Sequence, residues 1–382
     1  MAAWLDWLRA QRPAMETLLA ELVDVNSFSD NPAGCTAVAR RLDVALRALA
    51  PELGGGPRVG ASGRAEHLSY ATAAPGAPTL LIGHHDTVFP PGTFEGYRSE
   101  GDFAYGPGVL DMKGGLVVMA FALGALSRAG RLGALPLRLV SVADEEVGSP
   151  DGRAVLLEAA AGARAALVFE SGRRGDLIIT QRKGTGGVVA RAEGRAAHAG
   201  NGHADGANAI WALARFIDLA QRLTDYPRGV TINVGKVSGG TSKNTVPAAA
   251  ECGVDLRFLT PDAADAVMAS LHIAAAQAAA EVPGTRISLC GGVSRLPLVR
   301  TEASAALKDA YAVHARAVGL GDGEAPLLGG GSDANTVATL GVPAIDGLGP
   351  RGLGFHTHDE YIELPTLLSK AEALARYLDA LA

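Results

Sequence analysis

The sequence predicts an α/β fold, with a mostly parallel central sheet flanked by helices and a smaller α+β domain inserted into the chain. Two observations carry this prediction: strand and helix signals alternate in the first part of the chain, and the middle third has a different order of elements. The length of 382 residues fits two domains, because domains usually hold about 100–200 residues.

The strands of the first part are nearly continuous apolar runs, which is typical of parallel strands buried on both faces. We predict strands over 68–73, 79–84, 137–143 and 165–170, and helices over 113–129 and 151–161. In such sheets, ligands bind beyond the carboxyl ends of the strands.

The middle third has the order β-α-β-β-α-β, the ferredoxin-like arrangement. Its predicted strands cover 188–194, 230–238, 249–259 and 286–292, and its helices cover 208–223 and 262–281. We place the boundaries near Lys183 and Arg295, so that an inserted domain spans 184–295 and the larger domain spans 1–183 and 296–382.

After Leu298 the chain returns to alternating strand and helix signals and is predicted to rejoin the first sheet. The signals there are PLLGG, a helix from Asp333, VPAIDGLG, and a last helix over 364–381.

The composition excludes several classes of function. A net charge of −6, without any Lys/Arg cluster, argues against nucleic acid or an anionic membrane as the main partner. The first residues, MAAWLDWLRAQ, do not have the pattern of a secretory signal. The apolar stretch Gly114 to Leu126 is shorter than the roughly 20 residues that span a bilayer, and we predict a buried helix there.

The three cysteines, Cys35, Cys252 and Cys290, are widely spaced and odd in number. They predict neither a disulfide framework nor a zinc knuckle, and a cytoplasmic location is expected.

Metal-capable side chains stand where predicted strands end. In HHDTV, Asp86 can hold the imidazole of His84 in the tautomer that leaves one ring nitrogen free for a metal. A strand-end His and Asp are more often a cap and a surface group, and His85 is a competing candidate ligand. Alternation along the strand directs His84 and Asp86 to one side and His85 to the other.

Acidic residues follow the same pattern. Asp111 follows a glycine-rich turn and can bridge two cations, although an ordinary helix cap is an equal alternative. Glu145 and Glu146 end a buried apolar strand, where unneutralised charge is costly, and Glu170 ends another. One of the adjacent glutamates can bind metal while the other acts as a general base.

The remaining candidates are weaker by themselves. His356 and His358 lie in a loop near the end of the chain, and His198 follows the first strand of the inserted domain. The segment GGGSDA (329–334) also fits a dinucleotide-binding pattern, but no second nucleotide-binding half accompanies it.

Taken together, the motifs resemble those of the M20 metallopeptidase family, which includes glutamate carboxypeptidase, acetylornithine deacetylase, succinyl-diaminopimelate desuccinylase and aminoacylase. The matching segments occur in family order between positions 83 and 362: GHHDTV, YGPGVLDMKGG, DEEVGS, VFES, GRAAHAG, GGGSDA and GFHTHDEYI.

The resemblance implies a zinc-peptidase-like catalytic domain that holds two zinc ions per subunit, with Co²⁺ or Mn²⁺ as substitutes. The implied ligands are His84, Asp111, Glu146, Glu170 and His356, with Asp111 bridging. Asp86 then orients His84, and Glu145 is the general base.

The resemblance also implies that the inserted domain forms a homodimer, in which His198 reaches the partner's active site to stabilise the oxyanion. The implied substrate contacts are Asn244, Arg295, Gly330, Gly331 and Ser332.

The expected activity is hydrolysis of an amide bond next to a free carboxylate, as in a carboxypeptidase of the glutamate carboxypeptidase type. An N-acyl amino acid deacylase with the same mechanism is the alternative, and a non-catalytic binding homologue is a remote one. The expected partners are therefore a small peptide or N-acyl amino acid and a second copy of the chain.

Overall fold

The computed structural model describes residues 3–382. The strands are β1 Gly54–Val59, β2 Glu66–Ala71, β3 Thr79–His84, β4 Arg98–Glu100, β5 Phe103–Tyr105, β6 Leu137–Val142, β7 Ala165–Val168, β8 Gly184–Glu193, β9 Ala197–His198, β10 Thr231–Gly239, β11 Thr245–Val246, β12 Ala249–Phe258, β13 Arg286–Arg295, β14 Ala344–Ile345, β15 Gly352–Leu353 and β16 Tyr361–Glu363. The α-helices are α1 Ala3–Ala10, α2 Arg12–Val23, α3 Pro32–Leu49, α4 Gly114–Arg128, α5 Gly152–Ala160, α6 Ala209–Gln221, α7 Pro261–Glu281, α8 Glu302–Arg316, α9 Asp333–Ala338 and α10 Leu364–Asp379.

The chain forms two compact units. The larger contains Met1–Gln181, Val299–Leu327 and Ser332–Ala382, and the smaller contains Arg182–Leu298 and Leu328–Gly331. The sequence placed residues 328–331 in the larger domain. They pair instead with the start of the smaller unit, where the amide of Lys183 donates to the carbonyl of Leu328 at 2.8 Å.

A six-stranded sheet with the order β1-β2-β6-β3-β7-β14 forms the centre of the larger unit. Strands β6, β3, β7 and β14 are parallel, while β1 and β2 add an antiparallel hairpin at one edge. The prediction of a mostly parallel sheet is confirmed. The hairpin partner β1 was missed, because its sequence GGGPRV lacks the apolar pattern of a strand.

Helices cover both faces of this sheet. Leu81 of β3 and Leu139 of β6 belong to the hydrophobic core that includes α4. Leu80 and Ile82 flank Leu81 in β3 and therefore point to the opposite face of the sheet, where they are also fully buried. Helix α4 packs against α1, α3 and α10. Every residue from Gly114 to Leu126 is buried, as predicted from the sequence.

The four parallel strands end at one edge of the sheet, and this edge positions the candidate site. His84 is the last residue of β3, Glu145 and Glu146 follow β6, and Glu170 follows β7. Because parallel strands share their direction, side chains that are far apart in sequence meet there.

A second, antiparallel sheet with the order β15-β16-β5-β4 was not predicted. Its strands have only two or three residues each, too few to show a period. It pairs β5, just before the turn that carries Asp111, with β16, just after the loop that carries His356. The predicted strand signal PLLGG forms no regular strand and contributes a single bridge between Arg182 and Leu328.

The smaller unit has the order β8-α6-β10-β12-α7-β13, apart from the short pair β9 and β11. Its four long strands form an antiparallel sheet with the order β10-β12-β8-β13, and α6 and α7 pack against it. The ferredoxin-like prediction is therefore confirmed. Helices α6 and α7 are capped by the preceding residues Asn208 and Thr260, whose side chains accept hydrogen bonds from backbone amides of the first turn.

Candidate metal centre

The predicted ligand residues lie together in the larger unit and form two groups that share one aspartate. The first group is His84, Asp111 and Glu170, and the second is Asp111, Glu146 and His356. Within each group, one potential ligand atom from every residue lies within 4.8 Å of the others.

In the first group, Nε2 of His84 lies 3.4 Å from Oδ1 of Asp111 and 3.7 Å from Oε1 of Glu170. All three side chains are buried. In the second group, Nε2 of His356 lies 3.4 Å from Oδ2 of Asp111 and 3.1 Å from Oε2 of Glu146. Asp111 thus presents one carboxylate oxygen to each group.

The orientation of His84 is set by Asp86. Nδ1 of His84 donates to the backbone carbonyl of Asp86 at 3.1 Å and lies 3.3 Å from its Oδ1. In a neutral ring the proton is then on Nδ1, so Nε2, which faces the two carboxylates, is the nitrogen whose lone pair a metal can take.

The carboxylate of Asp86 has a second role that the sequence did not reveal. It accepts hydrogen bonds from the hydroxyl of Ser29 at 2.7 Å and from the backbone amides of Glu145 at 3.1 Å and Glu146 at 3.2 Å. Asp86 therefore holds the turn that carries the two glutamates as well as the imidazole.

The two alternative histidines have other contacts. The ring nitrogens of His85 lie 2.8 Å from Oγ of Ser141 and 3.0 Å from the carbonyl oxygen of Glu66, so this side chain points away from the ligand groups. His358 is exposed and stacks on Phe94, with ring centroids 5.4 Å apart.

The turn that carries Asp111 is held by Glu360, which sequence reasoning also missed. The buried carboxylate of Glu360 accepts hydrogen bonds from the backbone amides of Gly108 at 3.1 Å, Leu110 at 2.9 Å and Asp111 at 2.9 Å. Burial raises the pKa of Glu360 to about 7, although these amides favour its charged form. In the sequence, Glu360 is visible only as an acidic residue between His356 and the short strand β16.

The electrostatics of the cluster favour added positive charge. Burial and the charge of Asp111 raise the pKa of Glu170 to about 7 and also raise the pKa of Glu146. The pKa of His356 rises to about 10 through its contacts with Asp111 and Glu146. Asp111 instead keeps its negative charge, because contacts with His356 and His84 outweigh its burial and hold its pKa below the usual range. Three carboxylates are thus crowded together, and the two outer ones favour the protonated form.

Two buried atoms at the centre of the cluster fit a cation. Within residues 3–382, Nε2 of His84 and Oδ1 of Asp111 have no hydrogen-bond partner, although both are buried. Buried polar atoms normally have partners, and the lone pairs of an imidazole and a carboxylate are ligands that zinc accepts. The donor set therefore fits a metal.

Glu145 begins the short turn Glu145–Val147, next to the predicted ligand Glu146. Its side chain is 8 % exposed, and its backbone amide is bound by Asp86. The residue predicted as the general base is thus buried and directly precedes Glu146 in the chain.

His198 and Asn244 lie together in the smaller unit, where β9 pairs with β11. Nδ1 of His198 accepts from the amides of Gly200 and Asn201, both at 3.1 Å. In a neutral ring the proton must then be on Nε2. The exposed imidazole of His198 consequently offers an N–H donor.

The other predicted substrate contacts have varied surroundings. Arg295 is buried and lies against Gly331, while the carbonyl of Gly330 accepts from Nη1 of Arg182 at 3.1 Å. Ser332 belongs to the larger unit, and its buried hydroxyl donates to Asp346 at 2.6 Å. That hydroxyl is therefore engaged within the fold.

The profile of peptidase family M20/M25/M40 matches residues 80–380, which include every ligand candidate named above. The chain belongs to this family. It is therefore a metal-dependent hydrolase, as the sequence motifs predicted.

Several curated members of the family are similar over most of the chain. Carboxypeptidase G2 from Pseudomonas sp. (strain RS-16) is 27% identical over 374 residues, covering 96% of this chain and 89% of its own length. Acetylornithine deacetylase from Myxococcus xanthus is 30% identical over 319 residues, covering 78% of this chain and 79% of its own.

Solved structures share the fold at lower identity. An M20 family metallo-carboxypeptidase from Sulfolobus solfataricus superposes with a TM-score of 0.76 at 18% identity, covering 96% of this chain and 98% of that one. This likeness supports the assigned architecture.

Proposed function

We propose that this M20 hydrolase holds two zinc ions and cleaves an amide bond next to a free carboxylate, as a carboxypeptidase of the glutamate carboxypeptidase type. The observation that carries the proposal is the position of Asp111, which offers one oxygen to each of two ligand groups. A carboxylate placed in this way can bridge two metal ions.

Histidine and carboxylate ligands support zinc as the metal, with Co²⁺ and Mn²⁺ as substitutes. His84 and Glu170 would hold one ion and His356 and Glu146 the other, with Asp111 shared. When bound, the ions would polarise the scissile carbonyl and make water acidic enough to supply the nucleophile near neutral pH.

Glu145 would take the proton from the attacking water and return it to the leaving amine. Asp86 prepares this step, because it fixes the backbone of Glu145 while it also orients His84. The Nε2–H of His198 would donate to the oxyanion, a type of contact typically worth on the order of 10²–10³ in kcat.

A carboxypeptidase activity is supported by the similarity to carboxypeptidase G2, which extends over 96% of this chain. Asn244 and Arg295 are the proposed contacts for the free carboxylate of the substrate. An exposed amide side chain and a guanidinium suit this role, because both donate hydrogen bonds to carboxylate oxygens.

The second candidate is an N-acyl amino acid deacylase, which would use the same residues and release an acyl group. It is supported by the 30% identity with acetylornithine deacetylase, a value slightly above that for carboxypeptidase G2. The ligand cluster serves both reactions equally, so the two candidates differ only in the substrate that the protein accepts.

We also propose that the protein acts as a homodimer formed by the smaller unit, with His198 completing the partner's site.

We further propose a reducing, cytoplasmic location. The three cysteines are free, with Cys35 and Cys252 buried and Cys290 exposed, and this agrees with such a location.

Hydrolysis of a defined substrate panel by zinc-loaded protein tests the proposal. The panel contains folyl-glutamate conjugates, dipeptides and N-acetyl or N-succinyl amino acids, each with a matched analogue whose free carboxylate is amidated. We expect the folyl-glutamate conjugates to give the highest kcat/KM, with a large loss on amidation.

Preference for small N-acyl amino acids would favour the deacylase instead. Equal rates for the free and amidated analogues would contradict the proposed carboxylate recognition in both candidates.

A further inference from the structure

We propose that Glu360 is a positioning residue that sets the shape of the turn carrying Asp111 and thereby the affinity of both metal positions. The inference rests on the proposed di-zinc function and adds a residue that is not itself a ligand. The contacts of Glu360 lie inside the larger unit.

The carboxylate of Glu360 accepts hydrogen bonds from the backbone of a single turn. Oε1 accepts from the amides of Leu110 and Asp111, both at 2.9 Å, and Oε2 accepts from the amide of Gly108 at 3.1 Å. The backbone carbonyl of Glu360 also accepts from the amide of Gly106 at 3.4 Å. One residue thus binds the whole segment that leads into Asp111.

This segment needs external support because its backbone is irregular. Asp111 and Met112 do not have helical backbone angles, and Gly108 has a φ of 79°, in the left-handed region. The amides of such a turn cannot all be satisfied by a regular helical ladder. Glu360 supplies acceptors that the turn itself lacks.

A carboxylate suits this task better than its amide. The two oxygens of Glu360 accept from three N–H groups, and a charged acceptor forms shorter and stronger hydrogen bonds than a neutral one. A glutamine in the same position would direct one NH₂ group toward a backbone N–H, so a donor would face a donor.

Glu360 also connects the turn of Asp111 to the second ligand group. His356 stands four residues before it in the same loop and has a φ of 62°, which non-glycine residues rarely adopt. The amide of Glu360 donates to the carbonyl of Thr357 at 3.3 Å, and that of Thr357 donates to Gly354 at 3.0 Å. The same short loop therefore carries one ligand and holds the backbone of another.

The nearby buried lysine does not replace these contacts. Nζ of Lys113 donates to the carbonyl of Val25 at 3.1 Å, while both oxygens of Glu360 are bound by backbone amides. Since Asp111 belongs to both ligand groups, a shift of its turn must affect both metal positions together.

The test is Glu360→Gln, measured by zinc affinity in competition with a chromogenic chelator and by the visible spectrum of the Co²⁺-loaded protein. We expect both zinc equivalents to weaken about 10–100-fold, the range found for groups that orient metal ligands. The Co²⁺ bands should also shift. Thermal unfolding of the metal-free protein measures any general loss of stability separately.

Glu363→Gln is the matched control. Glu363 lies three residues after Glu360, at the end of strand β16, and loses the same charge. It pairs with Arg351 at 2.8 Å, and its side chain is 35% exposed. This half-buried pair includes no residue of either ligand group. We therefore expect parental zinc affinity and an unchanged Co²⁺ spectrum for this variant.

Parental zinc affinity and an unshifted Co²⁺ spectrum in Glu360→Gln would overturn the inference, even if the variant is less stable. If Glu360→Gln does not fold, Glu360→Asp decides by the same two measurements, because it keeps the charge but is one methylene too short to reach all three amides. If the parent protein binds no divalent metal, the proposed di-zinc function itself is wrong. This result is distinguishable from a failure of the inference about Glu360 alone.

Discussion

At the scale of single residues, the site depends on carboxylates with different tasks. Asp111 belongs to both ligand groups, whereas Asp86 belongs to neither and binds the hydroxyl of Ser29 and two backbone amides. Glu145 and Glu146 are adjacent, yet only Glu146 contributes to a ligand group. The environment rather than the residue type separates these roles.

The adjacent glutamates give a direct test of this separation. Glu145→Gln should keep both metal ions but lower kcat by roughly 10²–10⁴-fold, the usual contribution of a general base. Elemental analysis gives the metal content per subunit, and steady-state hydrolysis gives kcat. Near-parental kcat would show that the general base is another group.

Glu146→Gln is the control for that experiment, because it makes the same chemical change one residue away. Nε2 of His356 lies 3.1 Å from Oε2 of Glu146. This variant should therefore bind less metal at the second position, whereas Glu145→Gln should not.

At the scale of elements, helix α4 is packed very closely against the strand that leads to Glu170. A Cβ added at Gly115 would lie 2.1 Å from the carbonyl oxygen of Phe169 and 2.8 Å from Cε of Met112. The helix can approach β7 this closely only because it has a glycine here. The packing of α4 thus helps to set the position of a ligand.

Gly115→Ala should consequently destabilise the protein and weaken zinc binding. Alanine favours a helix by about 1 kcal/mol over glycine, but overpacking against rigid backbone typically costs about 1–3 kcal/mol. Urea unfolding measures the free energy of unfolding, and chelator competition measures zinc affinity. A more stable variant would contradict this account of the packing.

Gly124→Ala, nine residues along the same helix, provides the comparison. Its added Cβ would lie 3.1 Å from Cη2 of Trp7 and 3.2 Å from side-chain atoms of Leu49. Side-chain tips can move where a backbone carbonyl cannot. We expect parental zinc affinity for this variant, because no ligand-bearing strand is displaced.

At the scale of the whole molecule, Glu170 and His356 should make a contribution to the stability of the metal-free protein that falls as the pH rises. The pKa of Glu170 is raised to about 7 and that of His356 to about 10, above their values of about 4.3 and 6.5 in an unfolded chain. The folded state then binds more protons than the unfolded state, so this contribution is present at low pH and is lost between about pH 5 and pH 10.

Zinc should compensate for this loss, since it supplies the positive charge that protons provide at low pH. We expect the increase in Tm caused by zinc to be small at pH 5.5 and to grow toward pH 8, as followed by differential scanning fluorimetry. An increment that is independent of pH would indicate that zinc does not bind at the carboxylate cluster.

The proposed sharing of His198 between subunits gives a second prediction at this scale. His198→Ala and Glu145→Gln homodimers should each be nearly inactive. Random pairing after subunit exchange should restore about a quarter of the parental activity, because half of the dimers are mixed and each has one complete site. No recovery despite proven exchange would count against a shared site.

The sequence predicts the long elements of this protein better than its short strands. Most long strands and helices of the central sheet and the smaller unit were predicted to within a few residues, because apolar periodicity reports burial directly. The long helices α2, α3 and α8 were not predicted. The hairpin strand β1 and the four-stranded sheet with β5 and β16 were missed, because glycine-rich or very short strands carry no periodicity.

By itself, the sequence determined the α/β architecture, the inserted ferredoxin-like unit and the family whose ligand motifs it carries. These depend on local patterns and on the order of short motifs. Alternation along a single strand was also enough to predict that His84 and His85 point in opposite directions.

Only the tertiary structure decided which groups hold the predicted ligands in place. The amide of Asp111 and the carboxylate of Glu360 are 249 positions apart, and Ser29 and Asp86 are 57 apart. Such hydrogen bonds exist only after the parallel strands and the small antiparallel sheet bring distant segments within 3 Å of one another, and no local pattern in the chain encodes them.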